Sequence, residues 1–593
     1  MSVPAFPQDN IIALITNPEI GEDRNAENLL EVVDSINHNR AVDNVIVLGN
    51  ITSNGKFDEF IWAQEILDGL IAPYFVVGGE KDYLLSEGRG SEISLLWGDD
   101  KSFISNGTNS IVCLKTIIPE YLNYNYIDVE TLNWFEEKIS TNKSSRIITF
   151  SYNPISSTEN SFFFYEKIKN KKLFSLVSKS DNSANQKSEA EGFYLNRYDG
   201  WGYSILTIKS DTLFTENISK AVQKSKSQIN KNVFTPAKFD VTNKTGEKFK
   251  IRNVLWTAGY NNSIVISSIF SDGKIFIGFR NGLIICVNKS GEEKWFYQTN
   301  GRIYSSLIAE GDLILAATNE GDLLSLNANT GSLVQVIGIG ETITSELCVI
   351  DIKEDGRTSK SIIAGTANGN LYCYDLYTLE PLWINQSANN GTGNRIISSI
   401  AGTDNKVFFQ DIEGTIYCVS AVNGLLLWLW EPIIKNTNPL FKTDIIIRDN
   451  NIYLIDGGGN FRCIDALLGT EKWNIRNIDA TGLIEENKTT ELSIATNKNE
   501  IITISTKLGK AVKKIGLSAE TKSEIITDFL LIDDTIITGF SDGSVYQTKP
   551  KQKAKLIFKS SSASIVSLTN IEGKCLLTDY DGNLTLINFT DLK

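Results

Sequence analysis

Imidazoles and thiols do most nucleophilic and metal-ligating chemistry near neutral pH, and this chain of 593 residues holds one His and seven Cys. A Ser-His-Asp triad, a Cys-His pair or a histidine-rich metal centre needs imidazole as base or ligand. With His38 alone, no chemistry that requires a histidine cluster is open to the chain. His38 itself, in SINHNR, falls after a helical stretch and reads as an ordinary surface residue. Four of the cysteines, Cys286, Cys373, Cys418 and Cys463, each stand four residues past a glycine in four copies of one pattern; Ser325 and Thr503 fill the slot elsewhere. There is no CxxC pair, so the expectation is a small buried residue facing the core of its own repeat, with neither a disulfide framework nor a metal cluster.

Those cysteines belong to a repeat that begins near residue 260. A turn ending in Gly and followed by an alternating strand recurs as NGLIIC (Asn281–Cys286), EGDLLS (Glu320–Ser325), NGNLYC (Asn368–Cys373), EGTIYC (Glu413–Cys418), GGNFRC (Gly458–Cys463), DGSVYQ (Asp542–Gln547) and DGNLTL (Asp581–Leu586). A weaker copy, KNEIIT, has Asn499 where the Gly should be. The markers Gly282, Gly321, Gly369, Gly414, Gly459, Asn499, Gly543 and Gly582 lie 39, 48, 45, 45, 40, 44 and 39 residues apart, the period of a four-stranded propeller blade. A tight hairpin turn needs a residue that tolerates φ > 0, which accounts for the glycine. Trp295, Trp383, Trp428 and Trp473 follow four markers at 13 or 14 residues.

The phrases around these tryptophans, SGEEKW, LEPLW, NGLLLW and LGTEKW, resemble the outer strand of PQQ-binding-like (quinoprotein-type) propellers, including outer-membrane assembly propellers. The eighth repeat runs out of chain before its own outer strand, while a spare copy, NVLW with Trp256, precedes the first blade. The expectation is an eight-bladed all-β ring over residues 251–593, closed by strand 253–256. Quinone-dependent relatives carry vicinal cysteines and a calcium site; this chain has no adjacent cysteines, so no cofactor is expected, and the resemblance implies fold rather than chemistry.

Residues 10–210 read as α/β, with apolar runs IIALIT, NVIVLG, PYFVVG, SIVCLK and RIITFS between amphipathic stretches. Functional groups in such domains gather at the carboxyl ends of strands. Those ends carry ITNPEIG, LGNITSNG, VGGEKD, ITFSYNPI and LVSKSD, with DVETLNWFEEKI between. Their order resembles the motifs of calcineurin-like metallophosphoesterases. The resemblance implies a metallophosphoesterase-like sandwich over 1–214 and sets the family's metal-ligand positions on Asn17, Glu19, Asn50, Glu80, Tyr152, Lys179 and Asp181. Lys81 stands at the position of the leaving-group histidine. Two-metal hydrolysis needs a bridging carboxylate, and Asn50 offers only a neutral carbonyl. The lysines place positive charge where cations would sit, and pairing among Glu19, Glu80, Lys81, Lys179 and Asp181 could replace the metals. The expectation is therefore a pseudoenzyme with no catalytic residues and no metal. One hard cation held by Glu19, Glu80 and Asp181, or an anion held by Lys81 and Lys179, are the other options.

Thr215–Lys250 is rich in Lys, Asn and Ser and reads as a polar linker; the loop at Asp181–Gly192 reads as mobile. A net charge of −14 gives no reason to bind phosphate backbones, so nucleic acid is not an expected partner. No apolar run reaches the ~20 residues of a membrane helix, and MSVPAFPQDN lacks signal-peptide character. These features, with the propeller resemblance, point to a noncatalytic scaffold with protein partners in a bacterial cell-envelope, outer-membrane-associated complex. The alternative is a divergent phosphoesterase retaining one carboxylate-bound metal. The expected location is extracytoplasmic with the leader absent, or alternatively cytoplasmic.

Overall fold

A computed structural model describes residues 10–22, 24–39, 41–105, 108–118, 125–142, 144–177, 193–194, 202–209, 212–220, 227–234, 250–251, 253–388, 394–433, 435, 443–488, 490–517, 525–532, 535–549, 552–559 and 561–589. The chain divides into two compact units, Met1–Glu247 and Lys248–Lys593.

In the first unit, strands β1 (Asn10–Thr16), β2 (Asn44–Gly49) and β3 (Tyr74–Gly78) run parallel, separated by helices α1 (Asn25–His38) and α2 (Phe57–Leu67). Helices α3 (Glu80–Leu84) and α4 (Ser91–Trp97) follow β3. A second sheet is built from β4 (Ser102–Ser105), β5 (Asn109–Leu114), β6 (Arg146–Ser151), β7 (Lys172–Val177) and β8 (Phe193–Tyr194), with α5 (Val129–Thr141) and α6 (Ser161–Lys167) between its strands. The alternation of each strand sorts its side chains onto two faces. Ile12 and Leu14 of β1 join Ile148 and Phe150 of β6 in a core between the two sheets. Ala13 and Ile15 face the other way, onto Leu29, Val33 and Phe60 of α1 and α2, and Val112 and Leu173 pack on Phe135 and Phe164 of α5 and α6. The result is four layers, helices outside two mixed sheets.

The polar stretch expected as a linker from Thr215 behaves otherwise. Strands β9 (Gly202–Lys209), β10 (Thr212–Lys220) and β11 (Ser227–Phe234) extend the first sheet in the order β11-β10-β9-β1-β2-β3, all three added antiparallel. Leu213 and Thr215 are buried while Phe214 and Glu216 carry the other parity. A half-exposed edge ribbon needs few apolar residues, so its composition mimics a linker. His38 ends α1 with an exposed side chain, its Nδ1 2.7 Å from the Asp34 carbonyl oxygen. The expected loop at 181–192 lies outside the described residues.

The second unit is an eight-bladed propeller. Six blades are continuous four-stranded antiparallel meanders, spanning Ile269–Gln298, Ile308–Gly338, Cys348–Asn385, Ala401–Trp430, Ile446–Ile475 and Ala480–Gly516. Blade 7 (Ile526–Lys559) gains a fifth strand, Lys250–Ile251, which pairs with Phe558 and Lys559. Blade 8 supplies three strands (Ile565–Ile587) and takes Val254–Gly259 as its outermost, which is the expected closure. All seven marker glycines have positive φ, between 70° and 91°, and Asn499 adopts φ 55° in the same role.

Successive blades are stitched by one repeated contact. The outer-strand tryptophan of each of five blades lies on the glycine of the last turn of the next blade. A Cβ on Gly291, Gly331, Gly424, Gly469 or Gly509 would come within 2.5–2.7 Å of the ring of Trp256, Trp295, Trp383, Trp428 or Trp473 respectively. Indole N–H groups complete the contact: Trp256 donates to the Lys289 carbonyl at 2.9 Å, Trp295 to Ala328 at 3.1 Å, Trp383 to Ala421 at 2.8 Å and Trp428 to Ala466 at 3.3 Å. Blade 2 has Gln335 in place of Trp; its Nε2 donates to the Thr378 carbonyl at 3.1 Å, and the facing position is Leu379 at φ 51° instead of Gly. The cysteine slot pairs across strands with these residues, Cys286 with Trp295 and Cys373 with Trp383, a bulge following each pair. The four cysteines are buried and free. Cys286 clusters with Ile314 and Leu326, and Cys373 with Val407 and Phe409. They thus pack against the next blade as well as their own, a correction to the expectation. Burial pushes the Cys286 and Cys463 thiols up to about 11 and those of Cys373 and Cys418 up to about 12, so they are inert as nucleophiles.

Trp256→Ala should destabilise the propeller by about 2–4 kcal/mol, through lost packing and an orphaned carbonyl at the ring closure. Gly424→Ala should cost a comparable amount, because a Cβ meets the Trp383 ring and φ is positive. Thermal melts of both variants would check this, and loss below about 1 kcal/mol would contradict the stitching role.

The first strands of blades 6 and 7 carry Glu485 and Asp528. Burial pushes Glu485 up to about 8, helped by the charges of Asp528, Asp444 and Glu486. Burial likewise pushes Asp528 up to about 7, although the Leu568 and Phe529 backbone N–H groups donate to it. A carboxyl whose folded value is raised contributes stability that is complete at acid pH and lost as pH rises through that value. Glu485→Gln should therefore match wild type near pH 5 and exceed its stability by roughly 2 kcal/mol near pH 8.5. Denaturant titrations at the two pH values would test the sign.

Candidate functional site

The residues singled out in the first unit meet at the carboxyl ends of β1, β2 and β3. Past β1 the chain makes two left-handed residues, Asn17 (φ 46°) and Glu19 (φ 47°), a conformation that side chains other than Gly adopt at a cost. The strain is held by a ladder to the loop after β2. Asn17 N–H donates to the Leu48 carbonyl at 3.0 Å, Glu19 N–H to Asn50 at 3.1 Å and Ile20 N–H to Ile51 at 2.8 Å. Side chains add to it: the Asn17 amide oxygen accepts the Asn50 N–H at 2.9 Å, and Ser53 and Asn25 donate to the Glu19 carbonyl at 2.7 and 2.8 Å.

This clamp aims the Glu19 carboxylate inward, where it is buried. Its Oε1 accepts from the Asn50 Nδ2 at 3.3 Å and lies 3.6 Å from the Lys81 Nζ. Lys81 also reaches Glu22 at 3.4 Å. The Asn50 amide oxygen accepts the Lys81 backbone N–H at 3.1 Å, so both ends of that amide are engaged. Tyr152, at the end of β6, is buried and hydrogen-bonded to Asn50. Burial, then the charges of Glu80 and Asp82, hold its hydroxyl well above the usual phenol value. The structure thus brings Asn17, Glu19, Asn50, Glu80, Lys81 and Tyr152 to one place; Lys179 and Asp181 lie outside the described residues. The Lys81–Glu19 pair matches the expected internal pairing, and Glu22 joins it.

Among the described residues the arrangement does not fit a two-metal centre. Where a bridging carboxylate would be needed, Asn50 offers a neutral amide whose oxygen already accepts the Lys81 backbone N–H. The Lys81 ammonium pairs with Glu19 and with Glu22. Among the described residues no group of three or more His, Cys, Asp or Glu is placed to hold a metal ion.

Sequence reasoning passed over Asp82, the last residue of VGGEKD. Its fully buried carboxylate accepts the Ile51 and Thr52 N–H groups at 2.8 and 2.9 Å, the Thr52 hydroxyl at 2.7 Å and the Gly79 N–H at 2.8 Å. Four donors from two loops tie the β2 end to the β3 end. Burial nevertheless pushes Asp82 up to about 6. The signal was local: an acidic residue three positions after a Gly that opens a helix is a capping residue. Gly79 itself cannot be replaced, since a Cβ there would lie 2.3 Å from the Asn50 side-chain oxygen and 2.4 Å from its backbone nitrogen.

On the propeller, one cavity of about 480 Å³ opens among Glu310, Asp351, Lys353, Lys360, Asp404 and Lys406. Lys360 bridges Glu310 at 3.0 Å and Asp351 at 3.2 Å, so its central cation is already paired and no reactive constellation results.

Asp82→Ala should leave four donors unsatisfied and destabilise the first unit by more than about 3 kcal/mol, while Lys81→Met should cost less, under about 1.5 kcal/mol, because the ammonium is partly solvated and the Glu19 carboxylate keeps its hydrogen bond from Asn50. Equilibrium unfolding of the two variants would separate a structural knot from a charged site; the reverse ranking would contradict it.

A family described as outer membrane protein assembly factor BamB matches residues 250–334 and 367–552, entirely within the propeller. No curated protein matches the chain. Among solved structures, BamB from Moraxella catarrhalis is similar at 15% identity and a TM-score of 0.47, over 57% of this chain and 99% of that one. The computationally designed Ika8 protein is similar at 14% identity and 0.46, over 58% and 100%. Sqt1 of Saccharomyces cerevisiae follows at 14% and 0.45, over 57% and 99%. The second unit is an eight-bladed propeller that this family model matches over those residues.

Proposed function

We propose that this protein is a noncatalytic binding scaffold, a subunit of a bacterial envelope complex concerned with outer-membrane protein assembly, in which both units present surfaces to protein partners. The observation that carries the reading is the pairing of a propeller matched by an outer-membrane assembly factor family with a strand-end cluster in which Lys81 neutralises Glu19 and Asn50 replaces a bridging carboxylate. In this reading the first unit, 1–214 by motif and continuing through β11, is a metallophosphoesterase-like domain that has exchanged its metals for internal pairing. No helix among the described residues is long and apolar enough to cross a membrane, so membrane association would run through partners.

The test is affinity purification of the tagged full chain from crosslinked envelopes of its own host, with metal analysis of the product. The expected result is recovery of outer-membrane barrel proteins or their assembly subunits, no stoichiometric metal, and no hydrolysis of bis-aryl phosphates with added Mn²⁺. Turnover abolished by Glu80→Ala, together with about one bound metal per chain, would replace this reading with a divergent phosphoesterase retaining a single carboxylate-bound ion.

A further inference from the structure

The outer strand of blade 4, Leu426–Trp430, is the last of its sheet, hydrogen-bonded to a neighbour on one side only. An outer edge of this kind is a template for another strand, and natural proteins blunt such edges with charge. Blades 5 and 6 follow that rule, whereas the outer strands of blades 2 and 3, Leu333–Gly338 and Pro381–Asn385, carry no charge either. The outer strand of blade 5, Glu471–Ile475, exposes Glu and Lys, and that of blade 6, Lys510–Gly516, exposes three lysines. Blade 7 covers its edge with the chain's own Lys250–Ile251. Blade 4 has neither charge nor a covering strand among the described residues. From Leu425 to Trp430 there is no charge, and Leu425, Leu427, Leu429 and Ile433 are 64%, 50%, 45% and 96% exposed. Leu382 and Ile384 of the blade 3 outer strand are about half exposed as well.

Parity explains which side chains are free. Trp428 lies on Gly469 of blade 5, and the Arg462 guanidinium stands 5.0 Å from the Trp430 ring centre. Leu427 and Leu429 therefore point to the opposite face of the sheet, on the side of blade 3.

We propose that a second copy of this chain docks here, the two Leu426–Trp430 strands pairing antiparallel across a two-fold axis at Trp428. Three observations on the strand support that occupant. First, residues directly opposite in a ladder share a face, so across a two-fold normal to the sheet only residues of equal parity can pair. The register centred on Trp428 sets Leu427 against the second copy's Leu429 and Leu426 against its Trp430, with no charge opposed. Second, the chain carries a net charge of −14, so two copies repel over most of their surface; this strip, without charge, is where they can approach. Third, the exposed apolar side chains named above amount to on the order of 700 Å², close to the roughly 800 Å² per partner of a stable interface. The contact is isologous and closes at two subunits.

The experiment is sedimentation or light-scattering mass of the full chain from about 1 to about 100 µM. The expected species is a dimer, twice the 65.8 kDa of the chain, and the amides of 425–430 should exchange more slowly as concentration rises. Leu427→Glu with Leu429→Glu opposes like charges and should weaken the dimer at least 30-fold. Leu427→Glu with Leu429→Lys opposes unlike charges across the two-fold and should restore it. A wild-type chain that is monomeric at about 100 µM overturns the proposal and leaves the strip to a different partner. So does a dimer whose amide exchange at 425–430 is independent of concentration, a measurement needing no variant. A folded Glu/Glu variant that stays dimeric, or a folded Glu/Lys variant that stays monomeric, overturns it equally.

Discussion

An indole ring resting on a glycine of the next blade is the contact on which the propeller depends. Blades are separate sheets with no strand shared between neighbours, so the ring holds only through what passes from one sheet to the next. Apolar layers supply most of that burial but little direction. The Trp–Gly contact adds geometry: the glycine must lack a Cβ, its φ must be positive, and the indole N–H must meet one carbonyl. Trp256 is the member that closes the circle, since it belongs to a strand 300 residues upstream of the blade it completes and rests on the first blade. Where blade 2 departs from the pattern, both partners change together, Gln335 for Trp and Leu379 for Gly, so the carbonyl still receives a donor.

The first unit is organised around a comparable economy of polar groups. The ends of β1, β2 and β3 would be an open, polar and strained place without ligands. Instead the groups described there meet one another: Asp82 gathers four donors, Asn50 uses both ends of its amide, and Lys81 answers Glu19. A site satisfied in this way has no need of a cation to hold its loops. The noncatalytic reading proposed above rests on this internal pairing.

Much of this was legible in the residues. The 39–48-residue period, the glycines with φ > 0 and the closing NVLW strand follow from chain geometry that any propeller must satisfy, and they stand in the structure where the pattern puts them. The strand-end cluster was legible through its order of motifs. Three things were not. The polar composition of Thr215–Phe234 masked two strands, because an edge ribbon can be paired without being apolar. Asp82 looked like one more acidic residue until its four donors, from two loops distant in sequence, were seen together. The glycine four residues before Trp295, Trp428 and Trp473 was visible as part of a repeated phrase, but its partner is the tryptophan of the preceding blade, Trp383 in the case of Gly424, which no local pattern reveals.

The sequence by itself therefore determined the periodic and local features: how many blades, where turns need a left-handed residue, which strand ends carry polar groups, and that no chemistry requiring a histidine cluster is open to the chain. Tertiary structure alone decided which groups meet. It placed the Lys81 ammonium beside Glu19, set five indoles each on a neighbouring blade's glycine, and turned Leu427 and Leu429 outward on an edge that no described strand covers. The physical reason is that periodicity is written by the repeat of the backbone, residue by residue, whereas a contact between distant segments depends on how whole sheets pack, and that is a property of the folded chain only.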